Sequence, residues 1–503
     1  MIATASMTLV LEDDAATARL GEDMAAALMP GDLVFLEGEL GAGKTSLARA
    51  LIRALADDPR LDVPSPTFTL VQAYEGRLPA LHVDLYRIGD ASETAELGIG
   101  EALEAGCVLV EWPDRAAGAL GAPSLLVRLC EEGEGRRAAF SGSDAALARL
   151  RRSLAIRAFL DAHGARGAVR RHLTGDASAR AYETVTLPGL PARILMNAPK
   201  RPDGPPIRDG LPYSRIAHLA ETVVPFVAVD RALRAEGFAA PRIDAADLES
   251  GLLLIEHLGS DGILDADRNP VPERYVEAGR LLAGLHGRRW PAVMEAAPGH
   301  VHEVPAYDRR AMAIETELVL DWYFAHAVGR PAGDTERQAF AEAWTAAFDR
   351  IADTETSLVL RDYHSPNIIW REGERGLDRI GLIDFQDAVI GPAAYDVASL
   401  AMDARVTIGE ALEHDIVDAY CAARHAAGAF DEEGFRRAYA VMAAQRNAKI
   451  LGIFVRLDRR DGKPAYLKHL PRIRAYLARA LRHPALAEVA DFFDAAGLLD
   501  ERP

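Results

Sequence analysis

Cysteine is scarce in this chain, and its scarcity excludes two classes of small-protein architecture. Only three cysteines occur in 503 residues, Cys107, Cys130 and Cys421. So few thiols at such wide spacing can build neither a disulfide framework nor a zinc cluster. We predict that all three are reduced and serve as packing residues.

Long apolar runs are missing too. No stretch approaches the ~20 uninterrupted apolar residues that a membrane-spanning helix needs. The opening MIATASMTLVLEDD lacks the basic start and apolar core of a secretion signal. The sequence therefore predicts a cytoplasmic protein that does not engage a membrane.

Positive charge is the third deficit. The 57 Lys and Arg residues are outnumbered by 75 Asp and Glu residues, which gives a formal net charge of -18. This charge opposes non-specific binding to polyanions, so RNA would have to be reached locally or through a partner protein. The apolar fraction of 49% and charged fraction of 26% are ordinary for a soluble globular protein. At this length we expect two or three domains.

The most informative motif present is GELGAGKT, residues 38–45. It follows an apolar run at 32–37 and precedes a helix-favouring segment at 46–56, the strand and helix context of a P-loop. Lys44 is placed to reach the outer phosphates of a nucleotide, and the Thr45 hydroxyl to hold Mg²⁺. Three glycines let backbone N–H groups curl around phosphate: Gly38, Gly41 and Gly43. The motif predicts a binding site for ATP or GTP.

Two carboxylates stand at the ends of apolar runs near this motif. HVDLYR places Asp84, and VLVEW places Glu111, directly after strand-like segments. Carboxylates beside a P-loop control Mg²⁺ or the attacking water, since phosphoryl transfer needs positioning and charge neutralisation. The alternation of such strands with helical stretches predicts a compact α/β unit with a parallel or mixed sheet. The strand-like runs are residues 33–36, 81–83, 108–110 and 125–129.

The order GELGAGKT, SPTF, HVDLYR and VEW resembles the TsaE (YjeE) family of small ATPases across nearly all of residues 1–145. The resemblance implies ATP hydrolysis in bacterial tRNA threonylcarbamoyladenosine synthesis, at adenosine 37 of tRNAs that read ANN codons. It also implies TsaD and TsaB as partners, through which tRNA is reached.

The same resemblance implies roles for single residues. Lys44 and Thr45 would hold phosphate and Mg²⁺, and Thr67 of the SPTF segment would be a switch-like threonine. Asp84 would bind Mg²⁺ or water, and Glu111 would be the catalytic carboxylate. The role of Trp112 stays open: its ring would either border the nucleotide or pack half-buried against the protein.

Charged and glycine-marked sequence at 131–157 indicates a domain boundary, which we place so that the domains are residues 1–148 and 149–503. The arginines of this segment favour a solvated face on a linker helix over an RNA site. Beyond it, short strands surround a helix predicted at 213–236, and helices then predominate. A small strand-rich lobe followed by a helical one is typical of kinases and agrees with an α+β kinase-like domain, although this coarse pattern does not establish that fold by itself. The strands are predicted at residues 182–187, 193–196 and 252–255.

The later block carries a second set of catalytic residue types. LRDYHSPN places Asp362 five residues before Asn367, and LIDFQD places Asp384 after an apolar strand. An Asp that accepts the proton of a hydroxyl, an Asn at this interval and a metal-binding Asp form the apparatus of kinase-fold phosphotransferases. We therefore predict Asp362 as the base, and Asn367 and Asp384 as Mg²⁺ ligands.

Several positions depart from the usual kinase pattern. Leu360 stands where a histidine is common, and Met196 stands where a nucleotide-binding lysine is expected. Lys200 or Arg193 are candidate replacements, and the sequence assigns neither. The glycine loop over the phosphates is predicted in LTGDASARAY, with Gly175 as the nucleotide-binding glycine.

This half resembles the aminoglycoside-phosphotransferase superfamily, and more narrowly the AmgK anomeric sugar kinases, across roughly residues 155–480. The motifs that carry the resemblance are GDASAR, LMNAP, GLLLIEHLG, DWYF, RDYHSPN, DFQDAVIGPAAYD and QRNAKILGIF. The resemblance implies ATP-dependent phosphorylation of the anomeric hydroxyl of N-acetylmuramate and N-acetylglucosamine in peptidoglycan recycling. The whole chain is then a bifunctional enzyme.

Two alternatives stay open for the second half. It could phosphorylate another small acceptor, such as an aminoglycoside, choline or homoserine. It could also be a catalytically silent kinase-like scaffold, which Met196 favours and the intact Asp362, Asn367 and Asp384 oppose. The sequence leaves open the acceptor sugar, its anomer, coupling between the domains and the oligomeric state.

Overall fold

The computed structural model describes residues 7–173, 180–200 and 202–500. The chain forms two compact units, Met1–Asn197 and Ala198–Pro503. The boundary predicted from composition, between residues 148 and 149, remains a prediction of where the second enzyme begins. Within the described ranges, no helix is both long and apolar enough to cross a bilayer.

The first unit is an α/β structure followed by a small group of strands. Its helices are α1 (Asp14–Ala27), α2 (Lys44–Ala56), α3 (Ile99–Ala105) and α4 (Asp144–Ala162), with 3₁₀ turns at Ala91–Glu96 and Pro113–Ala116. Its strands are β1 (Met7–Leu11), β2 (Leu33–Glu37), β3 (Val71–Tyr74), β4 (Ala80–Asp84), β5 (Cys107–Glu111), β6 (Leu125–Glu132), β7 (Gly135–Gly142), β8 (Val169–Leu173), β9 (Ala181–Thr186) and β10 (Arg193–Asn197).

The main sheet is mixed, and its centre is parallel. The strand order is β1-β7-β6-β2-β5-β4-β3. Strands β6, β2, β5 and β4 run parallel, whereas β1, β7 and β3 pair antiparallel with their neighbours. The central strands read as continuous apolar runs (LVFLE and CVLVE) because both of their faces are buried. The sequence-based prediction of a parallel or mixed sheet with these four strands is confirmed.

Helix α4 carries arginines into the interior of the first unit. Arg157 is 7% exposed, and its Nε donates to Asp23 Oδ1 on α1 at 3.1 Å. Arg149 donates to Asp32 Oδ2 at 2.6 Å. The expectation of a solvated face was therefore wrong for buried Arg157, whereas the Arg149 side chain is still 30% exposed. Each of the two arginines pairs with a carboxylate that is distant in sequence.

A second arginine approaches Asp23 from strand β8. Arg170 donates from its Nη1 to Asp23 Oδ1 at 2.7 Å and from its Nε to Glu183 Oε2 on β9 at 2.6 Å. Burial alone would lower the pKa of Arg170, but the carboxylates of Glu183 and Asp23 raise it, so the guanidinium stays charged. We call Asp23, Arg157, Arg170 and Glu183 the buried charge cluster. It joins α1 to the antiparallel strands β8, β9 and β10.

The second unit is mostly helical. Its strands form antiparallel pairs: β11 (Pro206–Arg208) with β12 (Leu211–Pro212), β13 (Ile243–Asp247) with β14 (Leu252–Glu256), β15 (Val293–Ala297) with β16 (His300–Glu303), β17 (Thr356–Val359) with β20 (Val389–Pro392), and β18 (Ile368–Trp370) with β19 (Ile380–Leu382). Its helices are α5 (Tyr213–Ile216), α6 (Val224–Ala235), α7 (Pro272–His286), α8 (Arg309–Thr316), α9 (Phe324–Val328), α10 (Asp334–Asp349), α11 (Ala394–Ala401), α12 (Glu410–Ala427), α13 (Glu432–Arg459), α14 (Leu470–Ala480) and α15 (Ala487–Ala495). A π-helical turn covers Val319–Tyr323, and 3₁₀ turns cover Ser365–Asn367, Gly376–Arg379, Pro464–His469 and Pro484–Leu486.

Helix α13 is the centre of this unit. It packs against α8, α11 and α14 and is buried along most of its length. Its apolar residues are therefore not confined to one stripe, as expected for a helix that is covered on several sides.

The single helix predicted at 213–236 is two helices in the structure. Helix α5 ends at Ile216 and α6 begins at Val224. Pro225 has no backbone N–H to donate, so it fits only in the first turn of a helix and fixes where α6 starts. The segment 217–223 between them is irregular, and His218 has a left-handed φ of 54°.

We expect Arg170→Met to lower the free energy of unfolding by ~3–5 kcal/mol, because it leaves buried Glu183 without its partner. Urea denaturation followed by circular dichroism measures this loss. The matched control is Arg137→Met, since the Arg137 side chain is 49% exposed where it pairs with Glu132. An exposed pair of this kind contributes ~0–1 kcal/mol. Equal losses in the two variants would show that the buried charge cluster is not a main support of the first unit.

Asp230 on α6 predicts a pH effect. It is 1% exposed, and its Oδ1 has no hydrogen-bond partner among the described residues. Burial raises its pKa from 3.8 to about 7. The folded protein therefore holds this proton more tightly than the unfolded chain, and the free energy of unfolding falls as pH rises from about 4 to about 7. Asp230→Asn should stabilise the protein relative to the unaltered chain at pH 8 but not at pH 4, as measured by thermal unfolding at both pH values.

Candidate active sites

The first candidate site is the loop between β2 and α2. Gly38, Gly41 and Gly43 have φ of 146°, 85° and 99°, conformations that favour glycine. A Cβ at Gly38 would lie 2.5 Å from the carbonyl oxygen of Leu129, so a larger residue does not fit there. The loop leads directly into Lys44, the first residue of α2, so the N–H groups of the first helical turn point into it.

Lys44 lies across this loop. It is 5% exposed, and its Nζ donates to the carbonyl oxygens of Gly38 at 2.8 Å and Glu39 at 2.9 Å. The same Nζ lies 3.7 Å from the centroid of the Trp112 ring. Burial lowers the pKa of Lys44, while Glu111 and Asp84 act in the opposite direction. Trp112 thus contacts the lysine of the glycine loop, whichever of its two expected roles it has.

The two strand-end carboxylates lie side by side. Asp84 on β4 is the register partner of Glu111 on β5. Glu111 Oε2 accepts a hydrogen bond from the Thr45 hydroxyl at 3.0 Å. Asp84 Oδ2 accepts from Ser65 at 3.0 Å and Thr67 at 2.7 Å. The structure therefore brings Lys44, Thr45, Thr67, Asp84 and Glu111 into one site, with Glu111 rather than Asp84 next to Thr45.

The second candidate site lies on two loops of the second unit. Asp362 follows β17, and Asp384 follows β19. Asn367 joins them: its Nδ2 donates to the backbone oxygen of Asp362 at 2.9 Å and to Asp384 Oδ2 at 3.2 Å. The half-buried Asp362 carboxylate accepts no hydrogen bond from the side chains and backbone described, which leaves it available to a hydroxyl group. The three sequence-predicted residues are thus close together.

The backbone before Asp362 is strained and firmly held. Arg361 has a φ of 68° and Asp384 a φ of 63°, conformations that are uncommon for side chains of this size. Buried Asp396 accepts from the backbone N–H of Leu360 at 2.6 Å and of Arg361 at 2.9 Å. These bonds fix the loop although Leu360 replaces the common histidine.

The Arg361 side chain is held by a buried carboxylate. Glu315 on α8 pairs with Arg361 and with Lys449 on α13 at 2.7 Å. Burial alone would raise the pKa of Glu315, but Lys449 and Arg361 lower it to about 2. Glu315 is therefore ionised and anchors the residue that precedes Asp362.

Comparisons with known proteins agree with this geometry. The family model "Threonylcarbamoyl adenosine biosynthesis protein TsaE" matches residues 11–139, and the model "Phosphotransferase enzyme family" matches residues 169–430. A Caulobacter vibrioides protein named N-acetylmuramate/N-acetylglucosamine kinase is 35% identical over 68% of this chain and 96% of its own length. One of the same name from Pseudomonas putida is 35% identical over 54% of this chain and 77% of its own. A Rickettsia felis protein named tRNA threonylcarbamoyladenosine biosynthesis protein TsaE is 37% identical over 24% of this chain and 71% of its own.

The chain belongs to both families. It is an enzyme that joins a TsaE-type ATPase to an ATP-dependent phosphotransferase acting on a hydroxyl group. The expected fold class is shown as well: a P-loop α/β domain precedes an α+β kinase-like domain. Residues 169–197 of the phosphotransferase match belong to the same compact unit as the TsaE segment.

Neither site has a complete metal cage among the residues that the structure describes. No group of three or more His, Cys, Asp or Glu residues that could hold a metal ion occurs in the described part of the chain. Mg²⁺ in nucleotide sites usually takes one or two carboxylates and completes its coordination with phosphate oxygens and water. The hard oxygen donors present fit such an ion: Thr45, Asp84 and Glu111 in the TsaE segment, and Asn367 and Asp384 in the phosphotransferase segment.

Sequence reasoning missed His82 in the TsaE site. His82 is buried, and its Nε2 lies 2.9 Å from Glu111 Oε1. The signal was present, because His82 stands two residues before Asp84 on one strand and therefore faces the same side of the sheet. What the sequence did not show was the pairing of β4 with β5, which brings His82 to Glu111.

In the phosphotransferase segment, sequence reasoning missed Gln386. Its Nε2 donates to Asp384 Oδ1 at 2.9 Å. Two other expectations concern nucleotide binding in this segment. Gly175 lies outside the described residues, and Met196 is buried on β10, so the residue that replaces the usual nucleotide lysine remains unassigned.

We expect His82→Phe to lower kcat for ATP hydrolysis by about tenfold, the equivalent of ~1.4 kcal/mol, because Glu111 loses a charge-assisted hydrogen bond. KM for ATP should change less than about twofold, since His82 has no contact with the P-loop among the hydrogen bonds described. His82→Gln, which can still donate to Glu111, should recover most of the activity. Phosphate release at varied ATP concentrations measures both constants; equal loss in His82→Phe and His82→Gln would contradict a positioning role.

Proposed function

We propose that the TsaE segment hydrolyses ATP in support of N6-threonylcarbamoylation of tRNA adenosine 37. The observation that carries this is the meeting of Lys44, Thr45, Asp84 and Glu111 at one sheet edge in a chain of the TsaE family. Its partners would be proteins of the TsaD and TsaB type, through which this acidic chain reaches tRNA. Such a role places the protein in the cytoplasm.

In this proposal the glycine loop and Lys44 bind the β- and γ-phosphates. Thr45 and Asp84 would hold Mg²⁺, which would neutralise charge on the transferred phosphoryl group. Glu111 accepts a hydrogen bond from the attacking water and takes its proton as the water oxygen bonds to the γ-phosphorus and the bond to the β–γ bridging oxygen breaks. Thr67 senses the terminal phosphate through its bond to Asp84, and Trp112 covers the pocket.

We propose that the phosphotransferase segment phosphorylates the anomeric hydroxyl of N-acetylmuramate and N-acetylglucosamine, as in peptidoglycan recycling. The supporting observation is the junction of Asp362, Asn367 and Asp384 in a chain that covers 96% of a relative with that name at 35% identity. Asp362 accepts the proton as the sugar oxygen bonds to the γ-phosphorus. The bond from that phosphorus to the bridging oxygen breaks and ADP leaves. Asn367 and Asp384 would hold the Mg²⁺ that neutralises charge on the phosphates.

A different acceptor, such as an aminoglycoside, choline or homoserine, is the second candidate, because the phosphotransferase family model does not specify the acceptor. A coupled ADP-release assay with a panel of these acceptors separates the two candidates: phosphorylation of the amino sugars supports the proposal, and phosphorylation of another acceptor in their place overturns it.

The two activities should fail separately. Asp362→Asn should reduce sugar phosphorylation by ~10³-fold or more, since it removes the base, and should leave ATP hydrolysis by the TsaE segment within about twofold. Lys44→Ala should do the reverse. Sugar phosphate and inorganic phosphate are measured in the same reactions.

Each variant serves as the control for the other. A loss of sugar phosphorylation greater than about tenfold in Lys44→Ala, or of ATP hydrolysis in Asp362→Asn, would show that the two sites are coupled. Unchanged sugar phosphorylation in Asp362→Asn would contradict its role as the base.

A further inference from the structure

A pocket of about 420 Å³ adjoins the catalytic loops of the second unit. Its wall includes the irregular segment between α5 and α6, the end of β16, and Gln386. This volume is within the range of small-molecule sites and can accommodate a monosaccharide.

Hydrogen bonds connect the pocket wall to the loops that carry Asp362 and Asp384. Gln386 in its wall donates to Asp384 at 2.9 Å. The Arg361 guanidinium, next to Asp362 in sequence, donates to the backbone oxygen of Ala217 at 2.7 Å. The backbone N–H of Ala220 donates to Asp387 at 2.6 Å. The segment 217–223 is therefore held against the same loops that carry Asp362 and Asp384.

Three polar atoms of the pocket wall are buried and have no hydrogen-bond partner among the described residues. They are His218 Nε2, His302 Nε2 and Gln386 Oε1. Gln386 is only 3% exposed, and His218 is held at a strained φ of 54°. A buried polar atom without a partner costs ~1–3 kcal/mol, and strained residues cluster at ligand sites. The hydroxyl and amide groups of a ligand would satisfy these atoms.

The charge of the pocket narrows the ligand class. Burial lowers the pKa of His218 and of His302, so both rings are neutral at pH 7 and act as hydrogen-bonding groups rather than cations. Arg215 already pairs with Asp203 at 2.8 Å. Lys200 lines the pocket, is exposed, and has no ion-pair partner among the described residues. The acidic residues of the wall are Glu221, which lies 3.8 Å from Arg215, and Glu303, so Lys200 favours an anionic substituent at its own end of the pocket only.

We propose that this pocket binds the acceptor sugar, with His218, His302 and Gln386 contacting its hydroxyl and acetamido groups and Lys200 pairing with a carboxylate substituent. The inference rests on the proposed sugar-kinase function and adds a source of selectivity within it. N-acetylmuramate carries a lactyl carboxylate and N-acetylglucosamine does not, so Lys200 distinguishes the two sugars.

The test compares the two sugars in the full-length chain. Lys200→Met should raise KM for N-acetylmuramate at least about fivefold and change KM for N-acetylglucosamine and for ATP less than twofold. Lys463→Met, which removes an exposed lysine outside the pocket, is the matched control and should change none of the three. His302→Leu should raise KM for both sugars by similar factors, because the groups it contacts are common to both.

Several outcomes would overturn the proposal. If Lys200→Met changed KM for the two sugars by equal factors, or changed neither KM, Lys200 would not recognise the carboxylate. A rise in KM for ATP instead would assign Lys200 to the nucleotide. Unchanged sugar KM values in His302→Leu would remove the pocket as the acceptor site.

A separate measurement distinguishes failure of the pocket from failure of the proposed function. If the unaltered chain phosphorylates neither sugar, the kinase function fails, and binding of N-acetylmuramate is then measured by titration calorimetry in the presence of a non-hydrolysable ATP analogue. Binding that Lys200→Met weakens at least about fivefold supports the pocket. Absence of binding overturns it.

Discussion

A carboxylate buried between two arginines is the constraint on which the first unit depends. Asp23 accepts from Arg157 of α4 and from Arg170 of β8. A buried ion pair of this kind adds little net stability over an apolar contact, but it strongly penalises arrangements in which one partner is missing. The buried charge cluster therefore favours one placement of α4 and β8 against α1. The same contacts join the TsaE segment to the first strands of the phosphotransferase segment.

The two candidate sites solve the same chemical problem with different local structures. In the TsaE segment, backbone N–H groups and Lys44 approach the phosphates, and adjacent parallel strands bring Asp84 and Glu111 to one edge. In the phosphotransferase segment, two strained loops carry Asp362 and Asp384, and Asn367 joins them. Both rely on positioned charges because phosphoryl transfer needs little covalent assistance from the protein. Rigid support is consequently as important as the reacting groups, and the Glu315 contacts to Arg361 and Lys449 provide it.

What the sequence could predict was set by how local the determining interactions are. GELGAGKT and LRDYHSPN place their reactive groups within a few residues, so the P-loop and the Asp362–Asn367 pair were predictable from spacing. Strand-end positions for Asp84 and Glu111 followed from apolar runs that are buried on both faces. His82 escaped assignment because its partner, Glu111, comes from a neighbouring strand, and strand order is a property of the whole sheet.

Features that depend on contacts between residues far apart in the sequence could not be predicted, for the same reason. Arg149 and Arg157 of α4 were expected in solvent, but they contact Asp32 and Asp23, more than a hundred residues earlier. The prediction of a single helix at 213–236 did not take into account that Pro225 fits only in the first turn of a helix. The acceptor pocket lies beside the resulting break between α5 and α6. An amphipathic pattern alone does not reveal such an interruption.

The position of the buried charge cluster has a practical consequence for anyone who separates the two enzymes. Cleaving the gene near codon 149 would take Arg149, Arg157 and Arg170 away from Asp32 and Asp23. The amino-terminal fragment would keep Asp23 without an arginine partner, and in the carboxy-terminal fragment Arg157 would lose its carboxylates while Arg170 kept only Glu183. Neither half would report faithfully on its own catalytic competence, so each activity is better isolated by point substitution in the intact polypeptide.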